Sequence, residues 1–295
     1  MVHGELVKTI TADGLELQGF WINKKTPVAV FHSHGTAGDF YTHKFIELEA
    51  QKLAAAGISF LSANNRGHDV YADIRKHEAD GSVHWVQIGG AFEKFEESVF
   101  DIKAWIDFLE QQGVNHIILQ GHSLSQKLIY YMQQTKDDRI IGQIHLSPCN
   151  DAGFMHVTLG KEKYAATNAL IQKMITGGKG NEMLPKELAV VCPMAAVAYS
   201  GYLTEDSIGN IFPYHDAAST KWKMFAEIKE PLLAVFGGAD GFIKPSPQEA
   251  SLLFKVKAKA AKNVKVEVIE NAPHSYVGYE EKLVQVIMQW IHKLL

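Results

Sequence analysis

Short apolar runs alternate with amphipathic stretches along most of this chain. The runs predict β-strands at residues 28–31, 58–62, 116–120, 140–146 and 231–236, and the alternation predicts a further strand at 264–269. Apolar residues at helical spacing predict helices at 42–56, 91–112, 126–134 and 279–295. Two opening strands, 6–11 and 15–23, are joined by a turn at Asp13-Gly14. Strands that alternate with helices indicate an α/β fold with a mostly parallel central sheet and helices on both faces.

One long segment interrupts this alternation. Between the fourth and fifth of these apolar runs the pattern is mostly helical, with glycine and proline punctuation and no convincing strand. The segment is too long for an ordinary connection inside a compact domain. We therefore expect a helical cap at residues 150–229, inserted into one α/β core formed by residues 1–149 and 230–295. A shorter stretch, 70–90, carries mixed charges and three glycines, and we interpret it as irregular.

Composition restricts the class of protein. The 295 residues are 46% hydrophobic and 21% charged, which is typical of a well-packed globular protein and excludes a disordered or collagenous chain. The formal net charge is −4, so a nucleic-acid backbone or an anionic membrane would meet little electrostatic attraction. We therefore expect no nucleic-acid partner. The composition specifies no oligomeric state.

Three features bear on location. Cys149 and Cys192, the only two cysteines, define no disulfide framework, as is usual in a reducing compartment. The start of the chain lacks the basic and apolar regions of a signal peptide. The longest uncharged stretch, 188–204, is shorter than a bilayer-spanning helix and is interrupted by Pro193 and Gly201. These features predict a cytoplasmic protein without a membrane span.

The strongest chemical signal is a strand, a tight turn and a helix around Ser123. The apolar run 116–120 leads into GHSLS at 121–125, and a predicted helix follows. A serine on such a turn projects its hydroxyl above the sheet, and small flanking residues let the strand and the helix approach closely. The usual pattern is G-x-S-x-G, and here Ser125 replaces the final glycine. Taken alone, Ser123 could equally be a helix N-cap.

Two later loops supply the partners that a catalytic serine needs. A serine hydroxyl is a weak nucleophile at neutral pH and requires a histidine base oriented by a carboxylate. Asp240 closes the sequence GGAD just after the strand at 231–236, and His274 follows the strand at 264–269 in NAPHS. Parallel strands end at the same edge of a sheet, so Ser123, Asp240 and His274 are expected to converge there. Taken alone, Asp240 could be a turn residue and His274 a polar loop residue.

A fourth element is the loop HGTAG at 34–38, which follows the strand at 28–31. Acyl transfer builds negative charge on a carbonyl oxygen, and preorganised backbone N–H groups stabilise that charge. We expect one donor at Leu124, directly after the serine, and the other at Thr36. A generic glycine turn is the alternative interpretation of this loop.

These motifs resemble those of serine hydrolases with the α/β-hydrolase fold, and the resemblance covers nearly the whole chain. HGTAG is similar to the oxyanion loop of that family, NNRGHD at 64–69 to its arginine-glycine loop, and GHSLS to its nucleophile elbow. GGAD and NAPHS resemble its acid and histidine loops. The resemblance implies Ser123 as nucleophile, Asp240 as orienting acid and His274 as general base. HSHGTAGD, NNRGHD and GGAFEKFEE together are closer to a poorly characterised branch than to well-known lipases.

Other candidate chemistry is weaker. His32 and His34 lie two residues apart, but no zinc-binding pattern surrounds them, and we expect no metal and no cofactor. His34, His68 and His122 are interpreted as loop residues beside the site. The glycine-rich stretch 177–180 has no preceding strand, so it is interpreted as a turn in the cap rather than a phosphate-binding loop.

The sequence thus predicts a serine hydrolase that cleaves an ester or thioester of a small-to-medium acyl substrate. The same triad could serve amide or C–C bond hydrolysis or acyl transfer, and the fold could also be a non-catalytic ligand-binding or partner-binding protein. The large apolar residues of the cap could line an acyl pocket or form the cap's own core. They are Phe154, Met155, Met174, Met183, Met194, Trp222, Met224 and Phe225.

Overall fold

A computed structural model of the protein describes residues 3–295, and ten strands lie within them. In chain order they are β1 (Glu5–Ile10), β2 (Glu16–Ile22), β3 (Val28–Ser33), β4 (Ser59–Ala63), β5 (Asp73–His77), β6 (Val83–Gln87), β7 (His116–His122), β8 (Ile140–Leu146), β9 (Leu232–Gly237) and β10 (Val264–Ile269). Eight of them form a central sheet in the order β1-β2-β4-β3-β7-β8-β9-β10, and β5 pairs with β6 in a separate two-stranded sheet.

The central sheet is parallel except at one edge. β1 and β2 form an antiparallel hairpin, and β2 is antiparallel to β4. The pairings from β4 across the sheet to β10 are parallel. Every strand predicted from an apolar run is present, with its ends within two residues of the prediction. The predicted α/β fold is therefore confirmed, and the carboxyl ends of β3, β7, β9 and β10 lie along one edge of the sheet.

Helices cover both faces of this sheet. Consecutive residues of β3 show the two sides, because Ala29 and Phe31 pack into one apolar cluster and Val30 packs into the other. The first cluster includes Trp105 and the second includes Phe45. The helices are α1 (Lys44–Ala55), α2 (Ser98–Gln111), α3 (Gln126–Thr135), α4 (Asp151–Leu159), α5 (Lys161–Thr176), α6 (Ala196–Tyr202), α7 (Lys223–Ala226), α8 (Pro247–Lys257) and α9 (Glu280–Leu294).

The segment between β8 and β9 contains α4 to α7 and contributes no strand to either sheet. Among its contacts with the rest of the chain, the N–H of Ala195 donates to the carbonyl of Ala91 at 2.8 Å. The ring of Tyr202 also packs on Phe95, with centroids 6.4 Å apart. These helices occupy the stretch predicted as a cap, and its boundaries as a separate unit stay a prediction. Within residues 3–295, no helix has both the length and the apolar character needed to cross a membrane.

The prediction that residues 70–90 are irregular is wrong, because β5 and β6 form an antiparallel hairpin there. Most side chains of these strands are exposed or half-buried, so no apolar run marks them. The hairpin is held instead by its ladder and by the Arg75 guanidinium, which lies 5.5 Å from the centroid of the Trp85 ring.

Two helix predictions also need correction. The helix expected at 91–112 begins only at Ser98, after a 3₁₀ turn at Phe95–Glu97, because the backbone of Lys94 is extended (φ −96°, ψ 124°). Helix α8 was not predicted, although its start carries a capping signature. The Ser246 hydroxyl accepts from the N–H of Glu249, and Pro247 occupies the first turn.

Candidate active site

Ser123 lies on the turn between β7 and α3, in a backbone conformation that few non-glycine residues adopt. Its φ is 64°. Its N–H donates to the carbonyl of Leu146 on β8 at 2.9 Å. A Cβ added at Gly121 would lie 2.9 Å from the Cβ of Ser125, so glycine is needed for β7 and α3 to approach this closely. Ser123 is half-buried at the carboxyl edge of the sheet.

Ser125, which stands where the usual pattern has glycine, is fully buried. Its hydroxyl lies 3.0 Å from Nδ1 of His145 on β8. Burial lowers the pKa of His145 to about 3, so this imidazole is neutral at physiological pH. The additional hydroxyl is therefore engaged with the neighbouring strand, and it links α3 to the sheet.

Asp240 and His274 are joined directly. Asp240 follows β9 and His274 follows β10, and Asp240 Oδ2 lies 2.7 Å from His274 Nδ1. The Asp240 side chain is fully buried, and its other oxygen accepts the N–H of Phe242 at 2.9 Å. A carboxylate accepts the proton of Nδ1, so Nε2 of His274 is left with the lone pair that a general base uses.

Ser123 lies beside this pair without a direct hydrogen bond to it. Its Oγ is 3.6 Å from Sγ of Cys149. The adjacent residue, His122, donates from Nε2 to the carbonyl of His274 at 2.9 Å, and the two rings are 4.9 Å apart. Burial, and then the neighbouring His274, lower the pKa of His122 well below its usual value, so His122 is neutral. The structure thus brings the three predicted residues to one sheet edge and joins two of them.

The loop at 34–38, called here the oxyanion loop, lies against Ser123. A Cβ added at Gly35 would lie 2.7 Å from the Cβ of Ser123 and 2.8 Å from the carbonyl oxygen of His122. Within residues 3–295, the backbone N–H groups of Thr36 and Leu124 donate to no other protein atom. Free N–H groups near a serine can receive a ligand oxygen.

His34 is present as a single tautomer, and its imidazole bonds to the oxyanion loop. The N–H of Asn65 donates to Nε2 of His34 at 3.1 Å, so this nitrogen carries the lone pair. The proton is therefore on Nδ1, which donates to the carbonyl of Gly35 at 2.8 Å. Burial lowers the pKa of His34 to about 3. His34 is consequently a neutral bridge between the loop after β4 and the oxyanion loop.

A second carboxyl lies beside Cys149, at the start of α4. The side-chain amide of Gln126 donates to the carbonyl of Cys149 at 2.8 Å and to Asp151 Oδ2 at 2.9 Å. Burial raises the pKa of Asp151 to about 6, and Asp240 adds to the effect. Near the predicted triad there is therefore a second buried carboxyl group, which was not predicted from the sequence.

An aromatic wall flanks His274. The ring of Phe242 lies 4.9 Å from that of His274 and 5.3 Å from that of Phe154 on α4. Phe242 is 41% exposed, so one side of this wall faces solvent. Other apolar residues of the cap stretch, such as Met155 and Phe225, are fully buried and pack as core.

Sequence patterns missed Asn65, Glu93, Lys127, Cys149 and Asp151. The first two lie in NNRGHD and GGAFEKFEE, which the sequence marks only as resembling a branch of the family. The positions of Cys149 and Asp151, just after β8, were a usable signal, because residues after parallel strands reach the same sheet edge. His68, another histidine expected near the site, has its Nδ1 2.8 Å from Oδ2 of the adjacent Asp69.

The fold is that of the α/β hydrolases. The esterase Pf2001 of Pyrococcus furiosus has 16% identity and a TM-score of 0.61, over 99% of this chain and 91% of its own. Est1E of Butyrivibrio proteoclasticus, solved with ferulic acid bound, has 18% identity and a TM-score of 0.67, over 97% and 98%. The siderophore hydrolase EstB of Aspergillus fumigatus has 16% identity and a TM-score of 0.69, over 100% and 99%. The TM-scores show a shared fold, and at identities this low they show nothing beyond the fold.

The chain belongs to the DUF1749 family, described as proteins of unknown function. Residues 88–295 match the family, and this range includes Ser123, Asp240 and His274. A sequence comparison with curated proteins gives no match. The resemblance to the α/β-hydrolase fold and to a poorly characterised branch is therefore confirmed.

Proposed function

We propose that this protein is a serine hydrolase that cleaves an ester or thioester of a small-to-medium acyl substrate. The observation that carries the proposal is the 2.7 Å contact between Asp240 Oδ2 and His274 Nδ1, at the edge where Ser123 occupies a left-handed turn. An imidazole oriented by a buried carboxylate is the base that a serine nucleophile requires. Esterases among the solved structures with this fold favour an ester as the bond cleaved.

The proposed reaction begins with a rotation of the Ser123 side chain from Cys149 towards His274. Hydrogen bonds between a catalytic serine and its histidine are often long or poorly aligned until substrate binds. Ser123 Oγ attacks the acyl carbonyl and gives its proton to Nε2 of His274, while Asp240 stabilises the imidazolium. His274 then protonates the leaving alcohol or thiol, and an acyl-enzyme remains. Water, deprotonated by His274, attacks this acyl-enzyme, and His274 returns the proton to Ser123 Oγ as the acid departs.

The negative charge of both tetrahedral intermediates falls on the former carbonyl oxygen. The free N–H groups of Thr36 and Leu124 are the donors that we assign to it. Donors fixed before the reaction need no reorganisation, and the loss of one such donor typically costs about 10² to 10³ in kcat. The close packing of Gly35 on Ser123 supports this assignment, because it keeps the Thr36 peptide within reach of the reacting carbon.

We assign the segment 150–229 as a lid over this site. Its first helix, α4, contributes Phe154, which packs on Phe242 beside His274. This wall would contact an apolar or aromatic group next to the scissile bond. We therefore expect esters with such a group to react faster than acetate esters of the same leaving group.

The experiment that tests the proposal combines turnover and active-site labelling. The wild-type protein is given p-nitrophenyl esters and acyl thioesters of increasing chain length, and separately a fluorophosphonate probe with peptide mapping by mass spectrometry. We expect turnover and one labelled residue, Ser123. Ser123→Ala should lose both, because removal of a triad member lowers kcat by several orders of magnitude.

Ser125→Gly is the matched control. It removes a serine hydroxyl two residues away and restores the usual glycine, so labelling and turnover should persist. Labelling of another residue, or full turnover by Ser123→Ala, would contradict the assignment.

A further inference from the structure

A buried ion pair lies behind the oxyanion loop and has no part in the proposed reaction. Lys127 Nζ and Glu93 Oε2 are 2.6 Å apart, and the two side chains are 2% and 1% exposed. Lys127 is on α3, four residues after Ser123, and Glu93 belongs to the GGAFEKFEE motif. Burying two charges is expensive, and apolar residues of similar volume often stabilise a fold as well or better. A role in stability alone therefore does not account for the pair.

Space around the pair is restricted. A Cβ added at Gly67 would lie 2.1 Å from Glu93 Oε2, so the glycine of NNRGHD is what lets this carboxylate reach Lys127. On the other side, a Cβ added at Gly90 would lie 2.9 Å from the Cβ of Ala37 in the oxyanion loop. The motif that carries Glu93 thus packs directly on the loop.

Hydrogen bonds lead from the pair to the oxyanion loop. Lys127 Nζ also donates to Asn65 Oδ1 at 3.4 Å, and Asn65 Nδ2 donates to the carbonyl of His34 at 3.1 Å. The N–H of Asn65 fixes the tautomer of His34, whose Nδ1 then donates to the carbonyl of Gly35. Asn65 is 3% exposed and His34 is 2% exposed, so the whole chain of contacts is shielded from water.

The last contact helps to fix the direction of one N–H group, together with the Gly38 N–H, which donates to the same Gly35 carbonyl at 3.3 Å. The Gly35 carbonyl and the Thr36 N–H belong to the same peptide unit, and a trans peptide directs them to opposite sides. A carbonyl held by Nδ1 of His34 therefore prevents this peptide unit from flipping, and with it the Thr36 N–H. A cation beside His34 also helps to keep this imidazole neutral, because burial and then Lys127 both lower its pKa.

We propose that Lys127 and Glu93 are positioning residues that act through Asn65 and His34 to aim the Thr36 N–H at the developing oxyanion. This inference rests on the proposed function. NNRGHD and GGAFEKFEE then have one role in common, because both contribute residues that hold the oxyanion loop in position. The pair touches no substrate, and its effect is confined to the transition state.

The test is the double variant Lys127→Met/Glu93→Gln, which removes both charges and keeps the side-chain volumes similar. We expect kcat on a p-nitrophenyl ester to fall about 100-fold with KM nearly unchanged, because a displaced donor weakens transition-state binding only. The inhibition constant of a trifluoromethyl ketone, which forms a tetrahedral oxyanion on the serine, should rise in parallel with the loss of kcat.

The matched control is Arg139→Met/Asp137→Asn, which removes another ion pair, 2.6 Å long, that lies before β8 at the opposite edge of the sheet. It should lower the free energy of unfolding and leave kcat and the inhibition constant unchanged. If the first double variant does not fold, Asn65→Asp replaces it. This near-isosteric change removes the donor to the His34 carbonyl and should produce the same loss of kcat.

The outcomes separate the two proposals. Absence of labelling at Ser123 in the wild type overturns the proposed function before any variant is made. A wild type that is labelled, with a folded double variant that keeps kcat and the inhibition constant within about threefold, overturns only the role of Lys127 and Glu93. Normal kcat in Asn65→Asp overturns it as well.

Discussion

Glu49 on α1 should make the stability of this protein depend on pH in a direction opposite to that of most carboxylates. Its side chain is fully buried, and it accepts a single hydrogen bond, from Gln120 Nε2 at 2.8 Å. Its other oxygen has no partner within residues 3–295. Burial therefore raises the pKa of Glu49 from 4.5 to about 8.

The sign follows from the difference between the folded and unfolded states. At pH 7 the folded protein keeps Glu49 protonated, whereas the unfolded chain releases that proton. The contribution of Glu49 to stability is complete below about pH 4.5, declines as the pH rises, and is lost at about pH 8. Each pKa unit corresponds to about 1.4 kcal/mol, so between pH 5 and pH 7 we expect a loss of about 3 kcal/mol.

Glu49→Gln removes this ionisation and keeps an oxygen that can accept from Gln120. The assay is urea unfolding followed by tryptophan fluorescence at pH 5, 6, 7 and 8 for both proteins. The free energy of unfolding of the variant, relative to wild type, should increase by about 3 kcal/mol between pH 5 and pH 7.

Glu47→Gln is the matched control, because Glu47 lies exposed on the same helix and its carboxylate accepts a hydrogen bond from the side chain of Gln51. The difference in the free energy of unfolding between Glu47→Gln and wild type should be nearly constant over this pH range. If Glu49→Gln and wild type also change in parallel, within about 0.5 kcal/mol, Glu49 is ionised in the folded state and the reasoning is refuted.

Two further substitutions test the packing around the site. Gly35→Ala should lower kcat by about 100-fold or more, because its Cβ would lie 2.7 Å from that of Ser123 and displace the oxyanion loop; Gly241→Ala, which meets nothing within 4 Å, should stay active in the same ester assay. Tyr276→Phe should lower the free energy of unfolding by about 1–3 kcal/mol, because the buried hydroxyl donates to Val235 and accepts from Ser147. Urea unfolding measures this loss, Tyr41→Phe at an exposed position is the control, and equal stability of both variants would contradict the assigned hydrogen bonds.

Much of the fold could be predicted because the signals for buried strands are local. The segments that became β8 and β10 are rich in isoleucine, leucine and valine, and their ends agree with the prediction residue for residue. The hairpin β5–β6 shows the opposite case. Its pairing is local, but its side chains are mostly exposed or half-buried and leave no apolar run to mark the strands.

The candidate site divides in the same way. Ser123, Asp240 and His274 could be predicted because each follows a strand, and parallel strands end at one edge. Lys127 and Glu93 could not, since charged residues are almost always exposed unless they are paired. Their burial depends on a partner 34 residues away and on the missing side chain of Gly67.

The amino-acid sequence by itself determined the alternation of strands and helices, the tight turn at Ser123 and the loops that carry Asp240 and His274, because hydrophobic periodicity and glycine position act locally. Only the tertiary structure decided that His34 is a neutral Nδ1–H tautomer, that Ser125 bonds to His145, and that the oxyanion loop rests on a buried ion pair. Hydrogen bonds and burial of charge depend on groups brought together from distant parts of the chain.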